Sequence, residues 1–384
     1  MSFTVISHDE RSMSESLRPL EGFVVGITAD RRWEEQAELL SRRGATIVHG
    51  PTITTLYLAS DEHLRQATLE LIADPPDYLV ATTGIGMRAW LDTATTWGVG
   101  EELTAALGRA RIVARGPKAA AALQIGGLKV WERSPTEQMA ALVEILLAQP
   151  LEGRRVALQE YGMESPELVD VLLAAGARVV SVPVYRWQLP ADRGPAHRLA
   201  AAVCSGQVDA VTFTSAPAVH NLFALAGTAA NRDRLREAFN TSVTAACVGP
   251  VCADGALQLG VMDPLTPTIG RLGLLVRALG DHLAQRRRTY RLAGHDLVIQ
   301  GRAIALGGGV ELLSRKERAI LDILTRKPGL VVGREIFLAR VWGSADTDPH
   351  VLEVTVGRLR RRLGPAGGAL KAIPGRGYRF DPDE

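Results

Sequence analysis

The chain has 384 residues, of which 46% are hydrophobic and 22% are charged, and its formal net charge is +2. At roughly 100–200 residues per domain this length predicts two or three domains, and the near-average composition excludes a wholly disordered chain, a collagen and a disulfide scaffold. The charge is uneven: residues 286–384 carry 19 Lys and Arg against 11 Asp and Glu, which leaves 25 against 31 in residues 1–285, so a polyanion is the expected partner of the C-terminal part.

Residues 1–19 have no basic start followed by an apolar block, so we expect a disordered leader and no secretory signal. No apolar run approaches the roughly 20 residues that a bilayer-spanning helix needs. The cysteines, Cys204, Cys247 and Cys252, lack CxxC spacing and are typical of reduced thiols. A cytoplasmic protein that does not bind membranes is therefore predicted.

The acidic part of the chain is an internal duplication with an offset of about 132 residues. The matching positions include Gly44 and Gly176, Pro51 and Pro183, and Asp77 and Asp209. Each copy alternates short apolar runs, such as Phe23–Thr28 and Arg155–Gln159, with helical stretches. A repeat this long indicates two copies of a domain, and the alternation predicts an α/β fold with doubly wound parallel sheets.

The repeated turns after the strands are the candidate ligand site. In parallel sheets, ligands bind past the carboxyl ends of the strands, where helix N-termini present amide groups. Two facing copies would form a cleft between the domains. The candidate ligand-binding residues are Thr83, Gly84, Arg115, Lys118, Thr214, Ser215, Ala216 and Gly249. The Thr and Ser residues are equally well explained as helix caps.

The two copies also carry motifs of a known family. The pattern D-x-V-x-(F/A)-T-(S/T), the turn G-P-x-x-A and the segment Gly176–Arg186 resemble uroporphyrinogen-III synthase over about residues 20–280. The resemblance implies two α/β domains, one at 20–52 and 188–281 and the other at 53–187, joined by two crossing strands. It also implies a reaction without cofactor or metal that closes hydroxymethylbilane with loss of water.

The same resemblance implies an acid-like catalytic role for Tyr185. An equally good interpretation is an amphipathic hinge residue whose hydroxyl is satisfied by the backbone. The threonine usual after G-P-x is replaced by Ala119 in one copy and by Cys252 in the other. The loss of these hydroxyl donors weakens the prediction of catalysis more than that of ligand binding.

A predicted linker at 282–288 leads into a basic segment with a different sequence pattern. Ser314 and Glu317 form an S-x-x-E capping box at the start of a helix. A second helix is predicted over about Arg334–Trp342, and a third begins after Asp348 and runs to Leu363. The third helix has an apolar inner stripe of Leu352, Val356, Leu359 and Leu363.

The opposite face of the third helix is basic and suits the major groove of DNA, where arginine can bind guanine through two hydrogen bonds. The candidate DNA-binding residues of this helix are His350, Val351, Val354, Thr355, Arg358, Arg360 and Arg362. Arg376, at the tip of a predicted hairpin, is a candidate for the minor groove or a phosphate. A solvated helix surface explains any one arginine, but it does not explain the whole face.

Residues 289–382 resemble the winged-helix output domain of response regulators of the OmpR/PhoB type. The resemblance is carried by Leu313–Glu317, Val354–Arg361 and Gly375–Phe380, among other motifs. It implies binding of double-stranded promoter DNA, with Arg358 and Arg360 at contacting positions and Trp342 on a loop near a phosphate. No phosphoacceptor pocket precedes the domain, so we expect a signal to enter through the synthase-like body.

Two functions remain open. The first is a transcriptional regulator whose synthase-like body binds a tetrapyrrole or another polycarboxylate, or contacts another transcription regulator. Proteins of this fused architecture resemble regulators of nitrate and nitrite assimilation, which fits the use of sirohaem by nitrite reductases. The second is an active uroporphyrinogen-III synthase with an accessory DNA-binding domain. The regulator is favoured because a DNA-reading module has no use on a purely metabolic enzyme.

Overall fold

The computed structural model describes residues 17–162 and 166–383. The chain divides into two units: unit 1 is Met1–Thr52 with Ala191–Glu384, and unit 2 is Ile53–Pro190. Most of the predicted leader, residues 1–16, lies outside the described residues. Within the described ranges, no helix combines the length and the apolar character needed to span a membrane.

The strands and helices follow one another along the chain, and the main ones are numbered here in order. The strands are β1 (Val24–Ile27), β2 (Thr46–His49), β3 (Thr54–Tyr57), β4 (Tyr78–Ala81), β5 (Arg111–Ala114), β6 (Val130–Arg133), β7 (Arg155–Gln159), β8 (Arg178–Val182), β9 (Tyr185–Gln188), β10 (Ala210–Phe213), β11 (Thr244–Cys247), β12 (Arg288–Leu292), β13 (His295–Gln300), β14 (Ala303–Leu306), β15 (Gly309–Leu312), β16 (Leu370–Ile373) and β17 (Gly377–Phe380). The helices are α1 (Trp33–Ser41), α2 (Glu62–Ala73), α3 (Gly84–Thr96), α4 (Gly100–Leu107), α5 (Pro117–Ile125), α6 (Met139–Leu147), α7 (Pro166–Ala174), α8 (Gly194–Cys204), α9 (Ala216–Leu225), α10 (Ala229–Thr241), α11 (Pro250–Gln258), α12 (Leu272–Ala284), α13 (Arg315–Thr325), α14 (Arg334–Phe337) and α15 (His350–Arg362). A π-helical turn, Leu338–Trp342, follows α14, and a 3₁₀ turn, Gly364–Ala369, follows α15.

Unit 2 is built on a parallel sheet with strand order β6-β5-β4-β7-β8. Every residue of β4 and β7 is buried, as expected for parallel strands covered by helices on both faces. The indole of Trp90 is fully buried in this unit, and its Nε1 donates to Thr68 Oγ1 at 2.9 Å. β3 and β9 pair with each other as an antiparallel ribbon.

The α/β part of unit 1 repeats this arrangement in a parallel sheet of order β11-β10-β1-β2. The carboxylate of Asp77, before β4, accepts from Arg155 N at 2.8 Å, and that of Asp209, before β10, accepts from Val24 N at 2.8 Å. Because equivalent strands and equivalent carboxylates recur, the predicted duplicated α/β fold with parallel sheets is confirmed. Each sheet combines strands from both sequence copies.

The C-terminal part of unit 1 is the predicted winged helix. An antiparallel sheet of order β12-β13-β14-β15 precedes α13, α14 and α15, and the hairpin β16–β17 closes the fold. The capping box of Ser314 and Glu317 is present at the start of α13. The inner stripe of α15 is confirmed, since Leu352, Leu359 and Leu363 are fully buried in the core of this domain and Val356 is 1% exposed.

The two central strands of the antiparallel sheet, β13 and β14, are buried on both faces, whereas every residue of β15 is exposed. Leu297 and Ile299 of β13 point into the winged-helix core, whereas Val298 and the alanines of β14, Ala303 and Ala305, pack with Leu17. Because side chains alternate along a strand, the sheet serves two cores at once. A winged-helix sheet exposed to water would instead need polar residues on its second face.

We call the contact between the two parts of unit 1 the junction, formed by residues 18–22, 286–288 and 300–302. Gln300 is fully buried, and its Nε2 donates to Arg18 O at 2.9 Å and Glu21 O at 3.0 Å. Arg302 N donates to Gly22 O at 2.7 Å. A Cβ on Gly301, whose φ is +53°, would lie 2.6 Å from the Gly22 carbonyl carbon and oxygen, so the two backbones are in direct contact.

The residues predicted as a linker, 282–288, contain the end of α12 and the start of β12. Arg286 donates to Ser242 O and Thr244 Oγ1, each at 2.9 Å, and Arg287 donates to Gln300 Oε1. The linker prediction gave no role to these arginines, because no local sequence pattern reveals acceptors that lie in other elements. In the structure these side chains attach the winged helix to the α/β part.

Candidate nucleic-acid interface and ligand-binding turns

The turn after β4 is tied into unit 2 by Gln159. Its Oε1 accepts from the backbone N–H groups of Thr82 at 3.1 Å and Thr83 at 3.0 Å. Thr83 Oγ1 accepts from Gly86 N at 3.2 Å and caps α3. Two amides that were expected to face an anion are therefore engaged within the protein, and Thr83 does serve as a helix cap.

Gly84 joins the turn after β4 to the turn after β5. A Cβ at Gly84 would lie 2.2 Å from Lys118 O, so only glycine allows α3 to approach α5 this closely. The structure thus gives Gly84 a packing role. The side chain of Lys118, the second residue of α5, is exposed to solvent.

Tyr185 reaches the same turns from β9. Its side chain is buried, and its hydroxyl donates to Thr83 Oγ1 at 3.3 Å. Its ring centroid lies 6.1 Å from that of Trp187 and 6.5 Å from that of Tyr57. The structure therefore brings the predicted catalytic residue and one predicted ligand residue together inside an aromatic cluster.

Arg115, at the carboxyl end of β5, is the cation of this cluster. Its guanidinium lies 5.4 Å from the ring centroid of Tyr161, and Nη1 donates to Met139 Sδ at 3.8 Å. Burial lowers the pKa of Arg115, while Tyr185, Tyr161 and Glu137 oppose that shift. Among the described residues Arg115 makes no salt bridge, so its half-buried charge has no bonded carboxylate.

The equivalent turns of unit 1 are chemically different. Thr214 is exposed and Ser215 precedes α9, yet neither hydroxyl makes a hydrogen bond within the described part of the chain. Ala216 packs against α11, where its Cβ would be 2.9 Å from a Cβ on Gly255. Gly249 precedes α11, beside Val248 in place of an arginine. These turns offer open hydroxyls but no cation.

The outer face of α15 presents two arginine side chains without a partner among the described residues. At about 100° per residue, His350, Val354 and Arg361 form one stripe opposite the buried one, with Arg358 beside it. All four are exposed, and neither Arg358 nor Arg361 makes a hydrogen bond or ion pair with any described residue. We refer to His350, Val354, Gly357, Arg358 and Arg361 as the outer face.

Three residues predicted to contact DNA are engaged inside the protein. Thr355 is buried, and its Oγ1 donates to Val351 O at 2.6 Å, so its placement on the outer face was wrong. The guanidinium of Arg360 donates to Leu370 O at 2.8 Å. Arg362 forms salt bridges with Glu311 at 2.8 Å and Glu317 at 3.3 Å.

The pairing of Arg362 affects a buried carboxylate. Burial opposes ionisation of Glu317, but its hydrogen bonds with Ser314 and the Arg362 guanidinium together hold its pKa below the usual value. Arg362 therefore stabilises the capping box of α13. Because Arg362 is held by these intramolecular salt bridges, it is a poor candidate for contacting DNA bases.

Arg361 is the residue that the sequence interpretation missed. It is not among the DNA-binding candidates taken from the sequence, yet it lies seven residues after Val354 and so on the same stripe. A helical wheel centred on the buried leucines would have found it. Val351 is half-buried against the winged-helix core and is correspondingly less available.

The remaining candidates lie at the edges of the domain. Trp342 is half-buried at the end of the π-helical turn, with Lys316 Nζ 5.0 Å from its ring centroid. Arg376 is exposed at the turn between β16 and β17, where its backbone N donates to Ile373 O at 3.0 Å. Both side chains are accessible to a partner.

Comparison with known proteins identifies both parts of the chain. Residues 34–272 match the family described as uroporphyrinogen-III synthase HemD. A crystal structure of a mutant uroporphyrinogen III synthase from Thermus thermophilus is 32% identical, with a TM-score of 0.58, and covers 69% of this chain and 99% of that one. The chain belongs to the uroporphyrinogen-III synthase family.

Other relatives extend this assignment. An uncharacterized protein of Bacillus subtilis, YjjA, is 27% identical over 70% of this chain and 98% of its own length. Residues 308–380 match the C-terminal domain of transcriptional regulatory proteins. The regulatory protein CutR of Streptomyces coelicolor is 36% identical over 32% of this chain and 58% of its own. This HemD-family chain therefore carries a DNA-binding domain of the transcriptional regulators.

The positions at which this HemD-family chain lacks a threonine are buried. Ala119 is 1% exposed in α5, and Cys252 is 3% exposed in α11. The thiol of Cys252 donates to Phe213 O at 3.6 Å, and its hydrogen bond with the neighbouring Cys247, together with burial, raises its pKa. Neither position offers a hydroxyl to a ligand.

Proposed function

We propose that the protein is a transcriptional regulator whose winged helix binds promoter DNA and whose HemD-family body binds a controlling ligand. The observation that supports DNA binding most directly is the outer face of α15. It presents Arg358 and Arg361 without partners among the described residues, while the opposite face of the helix is buried. Unpaired guanidinium groups on one helix face are suited to phosphates and to guanine edges.

DNA binding is tested by fluorescence anisotropy on DNA enriched by the purified protein from a random-sequence library. We expect Arg358→Ala to weaken binding by about 1–3 kcal/mol if the side chain reads guanine. Arg362→Ala is the matched control on the same helix, since that arginine is engaged with Glu311 and Glu317. Equal losses in both variants would contradict the assigned face.

The ligand proposed for the body is a tetrapyrrole or another polycarboxylate. Arg115 supports this class, because a half-buried guanidinium without a salt bridge among the described residues can form a charge-assisted hydrogen bond with an incoming carboxylate. The exposed ammonium group of Lys118 lies on the neighbouring helix and adds a second cation. Thr83 and Tyr185 supply hydroxyls at the same turn.

Ligand binding is tested with uroporphyrin, a stable porphyrin polycarboxylate, by quenching of tryptophan fluorescence. We expect Arg115→Met to weaken binding at least about tenfold, as the loss of a charge-assisted hydrogen bond predicts. Arg111→Met is the control, since Arg111 lies at the opposite end of β5 and is exposed. Unchanged binding in Arg115→Met would remove this arginine from the site.

A synthase activity is the second candidate function, favoured by the Tyr185 hydroxyl at the Thr83 turn. The purified protein is supplied with hydroxymethylbilane, and uroporphyrinogen isomers I and III are separated. Isomer III would support catalysis, with Tyr185→Phe as the variant expected to lose it. Formation of the spontaneous isomer I alone would exclude the synthase.

The regulated genes are proposed to be those of nitrate and nitrite assimilation. Nitrite reductases use sirohaem, which is made from uroporphyrinogen III, so a tetrapyrrole-responsive regulator of these genes would match cofactor supply to demand. The controlling effect is proposed to involve a tetrapyrrole or contact with another transcription regulator. Unchanged transcription of the nitrite pathway in a deletion strain would refute this assignment.

A further inference from the structure

Gly357 lies halfway along the outer face of α15, at its edge, and is half-buried. It follows His350 by seven residues and Val354 by three, and it precedes Arg361 by four, so these residues are its neighbours on the helix surface. Arg358 is its neighbour in sequence. A position without a side chain thus lies beside the exposed arginines Arg358 and Arg361.

The fold itself does not require glycine at this position. Gly357 is not among the glycines with positive φ, and an added Cβ would meet no atom within 4 Å. Two other glycines of the same domain differ, since a Cβ on Gly367 would lie 2.4 Å from Arg360 O and one on Gly377 would lie 1.9 Å from Val332 O. Those two glycines are explained by internal packing, whereas Gly357 is not.

Glycine in a helix interior is unfavourable, because it loses more backbone freedom on folding than alanine does. Nothing within the described residues offsets this cost at Gly357. Glycine is also the residue that allows a backbone to approach a ligand most closely. Among its neighbours on the helix surface, Glu353 pairs with Arg334 and His350, whereas Arg358 and Arg361 keep their charge for a major groove.

We propose that Gly357 is a specificity-determining residue at which the backbone of α15 comes into direct contact with the major groove. In the complex, a base edge occupies the space that a Cβ would fill. The inference rests on the proposed DNA-binding function. A side chain at this position holds the helix away from the bases, while the phosphate contacts of the basic groups remain within reach.

The test combines thermal unfolding with DNA binding by the full chain. Gly357→Ala is compared with Gly273→Ala, a matched control in α12 whose Cβ would also meet nothing within 4 Å. The expected result is a higher Tm in both variants, since alanine is the better helix former. Binding to the library-enriched DNA weakens only in Gly357→Ala, and weakens by about tenfold in Gly357→Leu, as disturbance of one base contact predicts.

Comparing specific with nonspecific DNA distinguishes the close approach of the helix backbone to the bases from the attraction between basic side chains and phosphates. Binding to a random duplex depends on phosphate contacts, so Gly357→Ala leaves it within about twofold of the original. If Gly357→Ala and Gly357→Leu bind the enriched DNA as tightly as the original protein, the proposal is overturned and DNA binding stands. If the original protein enriches no DNA at all, both the proposal and the DNA-binding function are overturned.

Discussion

The arginines of the junction and those of the outer face of α15 come from the same basic segment, but the structure uses them in opposite ways. Arg286 and Arg287 donate to acceptors in distant parts of unit 1, and burial lowers the pKa of both. Arg358 and Arg361 are exposed and unpaired within the described residues. The net charge of a segment indicates that it favours an anionic partner, but it does not show which of its basic side chains are free to bind that partner.

The comparison also separates stability from recognition. A half-buried guanidinium with hydrogen-bonded acceptors contributes to folding, because removing it leaves those acceptors unsatisfied. An exposed guanidinium contributes little to folding and retains its charge for a partner. Substitutions in the two regions should therefore change different measured quantities.

The largest effect is expected when the backbone contact at the junction is disrupted. Gly301→Ala places a Cβ 2.6 Å from the carbonyl carbon and oxygen of Gly22 and strains a positive φ, so the free energy of unfolding should fall by about 2–4 kcal/mol. Gly308→Ala is the control, since its φ is +84° and its Cβ would meet nothing within 4 Å. Denaturant unfolding measures both, and a loss in Gly308→Ala equal to that in Gly301→Ala would show that strain alone matters.

The second-largest effect is expected from two arginine substitutions, one in the junction and one on the outer face of α15, which should change stability and DNA binding respectively. Arg286→Met should lower the free energy of unfolding by about 1–2 kcal/mol, since it removes the donors to Ser242 O and Thr244 Oγ1. Arg361→Met should leave stability unchanged but weaken DNA binding and flatten its salt dependence by about one unit of slope, as the loss of one phosphate contact predicts. Denaturation and a salt series on each variant give the two measurements. The opposite assignment of effects would invalidate the distinction between the regions.

The smallest expected effect is a pH dependence of stability caused by Glu317, the salt-bridge partner of Arg362. This carboxylate has a pKa held below the usual value in the folded state, so Glu317 stabilises the fold above its unfolded pKa of about 4.3. That contribution is lost as the pH falls through the folded pKa. Glu317→Gln should therefore lose less stability than the original protein on acidification below about pH 4.5. Identical acid profiles of the two proteins would argue against this role.

Sequence periodicity predicted the elements of the winged helix well. Leu352, Val356, Leu359 and Leu363 repeat at the spacing of one helix face, and Ser314 and Glu317 lie three residues apart at a helix start. Both patterns are local, since the residues involved are neighbours on a single helix. The structure confirmed each of them.

The same reasoning was less successful for individual site residues. Thr355 and Arg362 were placed on the outer face, but Thr355 bonds to its own helix and Arg362 pairs with Glu311 and Glu317. Gly84 fitted a ligand turn, yet it packs against Lys118 O. Each of these outcomes depends on the exact angle around a helix or on a partner from another element.

The sequence by itself determined the duplicated α/β fold, the winged helix that follows it, and the buried stripe of α15, because repeats and helical periods are properties of neighbouring residues. Only the tertiary structure decided that Arg286 and Arg287 attach the winged helix to the α/β part, that Arg360 and Arg362 are engaged, and that Arg358 and Arg361 remain available. Hydrogen bonds form between groups that folding brings together from distant segments, and their acceptors leave no periodic trace in the sequence.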